Sequence, residues 1–171
     1  MVSVSPRPLA LLLTVAGLVA CGACAREQGQ TSALATALVD RYLREFWEQG
    51  NLNAIHDIFA PEITMHYLGR ERPLTPAQHE AGARAFRGAF PDLAVVAPNV
   101  IAAGDYVVAY TAWTGTHQGP ISQLGGRAEE IAPAQRRLQW TVLYMFRIAD
   151  GRIVEMWEEW NEGGFIERLR Q

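Results

Sequence analysis

The stretch TVLYMFRIADGRIVEMWEEWNEGGFIERLRQ, residues 141–171, carries the side chains best suited to chemistry. Glu158, Glu159 and Asn161 stand at the end of an alternating run among Trp, Met, Phe and Tyr. A carboxylate in such surroundings loses water, which disfavours its charged form and lifts its pKa toward neutrality. A Glu so placed can take a proton from carbon beside a carbonyl and return it, provided donors stabilise the enolate between the two steps. By strand position the nearest donors are His117, Asn161, Trp140 and Tyr144, and alternation prevents all of them from facing inward. Glu158 shares its face with Val154, Met156 and Trp160, whereas Glu155, Trp157 and Glu159 point the other way. The plainer readings are a Glu158 in water or paired with Arg136 or Arg137, and a His117 that is a satisfied structural histidine.

The elements that must hold these groups follow from periodicity. Asp150-Gly151 between two alternating runs predicts a type I′ hairpin, and Gly163-Gly164 precedes a short closing helix carrying Phe165, Ile166 and Leu169. Ala33 to Gln49 predicts an amphipathic helix with Leu34, Leu38, Tyr42 and Phe46 on one face. Leu52 to Phe59 predicts a short helical piece stopped by Pro61, and Glu62 to Tyr67 a strand. Pro76 and Pro91 bracket a third helix burying Ala81, Ala85, Phe86, Ala89 and Phe90. Four strands follow, over 93–103, 106–116, 137–148 and 152–160, with a loop at 118–135 long enough to act as a lid. Helices first and antiparallel strands afterwards is an α+β layout.

Composition removes several chemistries. Every basic residue is Arg, so a chain without Lys can form no Schiff base and no P-loop. Both cysteines, Cys21 and Cys24, lie near the N-terminus, and the body of the chain contains no thiol nucleophile. The four histidines are scattered without i, i+4 pairing, so no metal site is expected. His56 and His79 read as surface residues on helices. The net charge of −3 gives no sign of nucleic acid as a partner.

Residues 1–20 read as a signal peptide, with Arg7 followed by an apolar run too short to span a bilayer comfortably. The run ends in Leu18-Val19-Ala20-Cys21, which resembles a bacterial lipobox. That implies lipidation at Cys21, a tether over 21–32, a domain over 33–171 and a place on the bacterial envelope with the membrane reached only through the anchor. Cleavage after Ala25, which would release a soluble secreted or periplasmic chain, is the alternative.

The ordered segments RYLREFWEQGNLNAIHDIFAPEITMH, AFRGAFPDL, VIAAGDYVVAYTAWTGTHQG and GRIVEMWEEWNEGGFIERL resemble the SnoaL-like polyketide and ester cyclases of the nuclear-transport-factor-2-like superfamily. The resemblance spans nearly the whole domain. It implies a cone, a curved antiparallel sheet wrapped around helices and an apolar cavity, usually dimerising through the outer sheet face. It implies cofactor-free acid/base chemistry at Glu158, which replaces the family's Asp one methylene longer, with His117 as a second catalytic candidate. His66 resembles a recurrent family histidine. Tyr42, Phe46, Phe86, Phe90, Trp140, Tyr144, Met156 and Trp160 would line the substrate space beside His66 and Asn161. Asn161 stands where many relatives have a second Asp, and Ala132-Pro133-Ala134-Gln135 departs from their Pro-Pro-Thr-Gly. Two functions are expected from such a chain: a cyclase- or isomerase-like enzyme acting on a small apolar carbonyl compound or ester, or a non-catalytic envelope protein holding a small hydrophobic ligand.

Overall fold

The structure is a computed structural model and describes residues 29–122 and 130–171. The expected signal peptide, Cys21, most of the expected tether and the middle of the expected lid therefore lie outside the described residues. Helix α1 is α-helical over residues 29–41 and continues as a π-helix over Tyr42–Glu48, closing with Gln49 N–H on Arg44 O at 2.8 Å. A 3-10 turn, Leu52–Ala54, leads into α2, Ile55–Ile58, and then into strand β1, Phe59–Tyr67. Next come β2, Arg70–Leu74, and α3, Pro76–Ala89. Strands β3, Ala94–Ala103, β4, Tyr106–Thr116, β5, Arg137–Ala149, and β6, Arg152–Glu159, precede α4, Glu162–Arg170.

The six strands form one open sheet in the order β2-β1-β6-β5-β4-β3. Every pairing is antiparallel except β1 with β6, which run parallel. The expected run of antiparallel strands is thus a mixed sheet, because β1 reaches its neighbour only after the chain has crossed the helices. Strand β2 escaped the sequence reading. Leu68 and Gly69, both at positive φ, turn the chain back, and the charge-rich edge strand that follows tolerates Pro73 because an edge leaves one row of N–H groups unpaired.

The helices fill the concave face of this sheet. α1 buries Ala35, Leu38, Val39, Tyr42, Leu43, Phe46 and Trp47, while Leu34 is 68% exposed. Leu34 falls off the expected face because every fourth residue of an α-helix drifts by about 40°, which already sets Leu34 about 80° round from Tyr42. α3 starts as its sequence predicts: Thr75 caps it in a reciprocal box with Gln78, and Pro76 occupies the first turn. Its buried residues include His79, Ala83 and Ala89, with Ala81 and Ala85 exposed. The Arg87 guanidinium of α3 donates to the Trp47 and Glu48 carbonyls and so closes the end of α1.

The β5–β6 hairpin aims the residues of interest. Asp150 and Gly151 have φ of 51° and 71°, as a type I′ turn requires. Beyond the turn a bulge shifts the register between the pairs Arg147–Glu155 and Ile148–Ile153, so Ile153 and Met156 both face the core. Val154, expected to share that face, is displaced from it by the extra residue.

Candidate active site

Glu158 is the next inward position after Met156 and has Tyr144 of β5 opposite on one side and Tyr67 of β1 on the other. Directly opposed residues bring their Cβ atoms to about 5 Å, so a carboxyl stands between two phenols. Tyr42 of α1 lies edge-on to Tyr144 at 6.0 Å between ring centroids and supplies a third. Glu158 is partly buried, and burial raises its pKa to about 8, helped by the negative charges of Glu162 and Glu159 and opposed by Arg72. The same burial, with the Glu158 charge added, holds Tyr42, Tyr67 and Tyr144 well above the ordinary phenol pKa. All three remain protonated and able to donate.

Two of these phenols are anchored. The Tyr67 hydroxyl donates to Glu162 Oε1 at 2.8 Å and accepts from Trp160 Nε1 at 3.2 Å. The Tyr42 hydroxyl shares a 2.9 Å hydrogen bond with His79 Nε2. His79, read from the sequence as a surface residue, is buried in a stack with Phe46 at 5.1 Å and Phe59 at 5.2 Å. Burial, and secondarily Arg72, lowers its pKa to about 3, so its ring is neutral at physiological pH.

The expected site residues divide into three groups. Tyr144, Tyr42, Met156 and Trp160 surround Glu158. Phe46, Phe86, Phe90 and Trp140 build the aromatic wall deeper in the cone, where Phe90 packs against Phe86 at 5.0 Å and Trp140 at 5.4 Å. The remaining three are elsewhere. His66 faces outward, since it precedes Tyr67 on an alternating strand; it stacks on Trp157 at 4.5 Å and meets Glu155 at 2.8 Å. Asn161 is exposed and caps α4, accepting from Gly164 N–H at 2.9 Å. His117 is wholly buried just past β4, beside Arg136 immediately before β5. From there to Tyr144 the strand runs roughly 26 Å, so His117 does not share a site with Glu158.

His117 instead joins the chain to itself. Its backbone bonds Arg136 and Gln135, its Nδ1 accepts from Ala134 N–H at 3.0 Å, and its ring stacks on Phe90 at 5.4 Å. Because Nδ1 accepts, the neutral ring carries its proton on Nε2. Neither Arg offered as a partner for Glu158 reaches it: Arg136 donates to Arg168 O, and Arg137 pairs with Asp92 at 3.1 Å.

Sequence reasoning missed Tyr67, Glu162 and Arg72. Strand alternation could have placed Tyr67 opposite to His66, but nothing local said which of the two faces the core. The concave face is filled by rings, and Glu158, Tyr67 and Trp160 keep partial exposure at its rim. Two surface hollows, of about 520 Å³ beside His56 and Arg152 and about 650 Å³ between α1 and β3, are lined by other residues. Among the described residues no group of three or more His, Cys, Asp or Glu could hold a metal ion, and no helix is long and apolar enough to cross a membrane.

Several solved structures share this architecture. AclR of Streptomyces galilaeus, a candidate hydroxylase, is 26% identical with a TM-score of 0.68, over 81% of this chain and 97% of that one. A candidate polyketide cyclase from Acidithiobacillus ferrooxidans is likewise 26% identical with a TM-score of 0.68, over 81% and 95%. A candidate SnoaL-like polyketide cyclase from Jannaschia sp. CCS1 is 22% identical with a TM-score of 0.70, over 81% and 92%, and speaks for the fold alone. No curated protein matches the chain. The family model for SnoaL-like polyketide cyclases matches residues 37–168, and with the cone-type sheet and its inward carboxyl this places the chain in the SnoaL-like polyketide cyclase family.

Proposed function

We propose that this protein is an exported, cofactor-free enzyme that moves a proton on a small apolar carbonyl compound or ester, with Glu158 as the acid/base group. The carrying observation is a partly buried carboxyl between Tyr67 and Tyr144 whose proton affinity lies near neutrality rather than near the ordinary value for Glu. In its ionised form Glu158 takes a proton from the carbon next to the substrate carbonyl. Negative charge develops on the carbonyl oxygen, and the protonated phenol of Tyr144, opposite Glu158 on β5, stabilises that oxygen by donating to it. Glu158, now protonated, returns the proton to carbon or oxygen, which completes an isomerisation or a ring closure. The aromatic surroundings suit an apolar substrate, and the chemistry balances without an external electron carrier.

The test compares Glu158→Gln with wild type for turnover and solvent-deuterium exchange on a panel of carbon acids. A loss of about a hundredfold or more is expected from removing a positioned acid/base. Equal turnover by the two proteins removes the proposal. Export belongs to the same reading: the segment ending at Cys21 supports a lipid-anchored envelope protein, and mass analysis of the mature N-terminus distinguishes a lipidated Cys21 from a free start at Arg26.

A further inference from the structure

We propose that Glu162 is the positioning residue of the Glu158 site, holding the Tyr67 phenol that stands opposite Glu158 and setting its own carboxylate beside that acid. The inference rests on the reading of Glu158 given above and adds a second acid to it.

Glu162 is the first residue of α4 and only 8% exposed, so its carboxylate has been taken out of water and needs compensation. Two features supply it. Its Oε1 accepts the Tyr67 hydroxyl proton at 2.8 Å, a bond strengthened by the charge on the acceptor. It also occupies the first turn of a helix, where the unpaired N–H groups favour negative charge. Tyr67 cannot swing away to serve another partner, because Trp160 Nε1 donates to its oxygen at 3.2 Å and Trp160 is itself held edge-on against Phe165 at 5.2 Å. The phenol is thereby fixed between the carboxyl it bonds and the carboxyl it opposes in the β1–β6 register.

The Glu162 carboxylate lies near Glu158 across that phenol, and its charge disfavours a second negative charge there. Glu162 has the donor and the helix end. Glu158 faces Tyr67 from β1, Tyr144 from β5 and Tyr42 from α1, all weak acids, with Glu159 next to it on β6. Arg72 of β2 is the opposing cation, and His79 of α3 adds no charge because its ring is neutral. The negative charge of Glu162 is the largest influence after burial in raising the proton affinity of Glu158. Glu162 therefore tunes the acid without touching the substrate.

The experiment is a carboxyl 13C NMR titration of the full mature chain labelled at Glu, in wild type, Glu158→Gln, Glu162→Gln and Tyr67→Phe. One carboxyl resonance is expected to move near pH 8 in wild type and to vanish in Glu158→Gln. In Glu162→Gln its midpoint should fall by about one pH unit or more, a tenfold loss of proton affinity. In Tyr67→Phe, which keeps both carboxyls but frees Glu162 from its hydrogen bond, the Glu158 midpoint should also move. An unmoved Glu158 midpoint in both variants overturns the inference, as does disappearance of the high-pH resonance in Glu162→Gln but not in Glu158→Gln. Since the readout is protonation, the reading of Glu158 as a catalyst can fail on turnover while this inference stands, and the converse.

Discussion

At the residue scale the fold carries a cost at the site. An acid whose folded pKa is raised to about 8 from 4.5 binds its proton more tightly folded than unfolded. Between those two values the folded state holds the extra proton, so stability falls as pH rises through that window. Glu158→Gln keeps the shape and removes the titration. The variant is expected to match wild type in stability near pH 4 and to exceed it by about 2 kcal/mol at pH 9, allowing for the partial water access of the carboxyl. Denaturant midpoints across that range measure the difference. A wild type that instead gains on the variant as pH rises would show a carboxyl in good contact with a cation rather than a strained one. His79 runs with the opposite sign, since a neutral buried imidazole with pKa about 3 loses stability as pH falls below its ordinary 6.5. Of these residues, Glu158 was legible because alternation after the Asp150-Gly151 turn puts it on the Met156 face. His79 was not, since its charged neighbours on α3, Glu80 and Arg84, conceal a ring that reaches sideways into the stack around Tyr42.

At the scale of elements, the hairpins and capped helices were readable because their signals are local: a positive-φ turn, a Thr-Pro start, two-residue alternation. What failed depended on contacts distant in sequence. The β6 bulge that buries Ile153 beside Met156, the parallel join of β1 to β6 and the extension of β1 back to Phe59 are set by partners across the sheet. His117 belongs to this scale too, because its place at a strand end looked catalytic and proved to be a joint. The joint rests on Gly119. Gln118 N–H and Gly119 N–H both reach Ala89 O, and a Cβ at Gly119 would stand 2.4 Å from Gly88 O. That neighbour is backbone at the end of α3 and cannot turn aside. Gly119→Ala should cost about 2 kcal/mol or more, at the upper end of ordinary point substitutions, whereas Gly88→Ala, with open space around its Cβ, should change stability little. Thermal melts of the two variants make the comparison, and a Gly119→Ala protein as stable as wild type would mean that the 118–122 segment does not pack on α3 as described.

At the scale of the whole molecule, the sheet has two faces with different chemistry. The concave face meets the helices, while the convex face leaves Val96 59%, Ile101 67%, Tyr110 43% and Leu143 46% exposed. Register aligns three of these into rows across the strands: Ile101, Val108, Met145 and Trp157 in one, Tyr110 and Leu143 in the next. At one edge the His66–Glu155–Arg147 network borders the apolar rows with ordered charge. An apolar field with a polar margin is the anatomy of a protein interface, and we propose that a second copy of the chain covers it, as the family resemblance implies. Leu143→Arg tests the proposal because Leu143 is in the apolar rows, with its side chain on the sheet face opposite to that of Glu158. An Arg there must either lose its water or break the contact, so the variant should elute as a monomer where wild type elutes as a dimer, with its far-UV spectrum unchanged. Light scattering that finds wild type monomeric at tens of micromolar, or Leu143→Arg still dimeric, would leave the convex face without its partner. Dissociation should also leave the Glu158 titration near pH 8 in place, since every group that tunes it, from Tyr67 to Glu162 and Arg72, comes from its own chain.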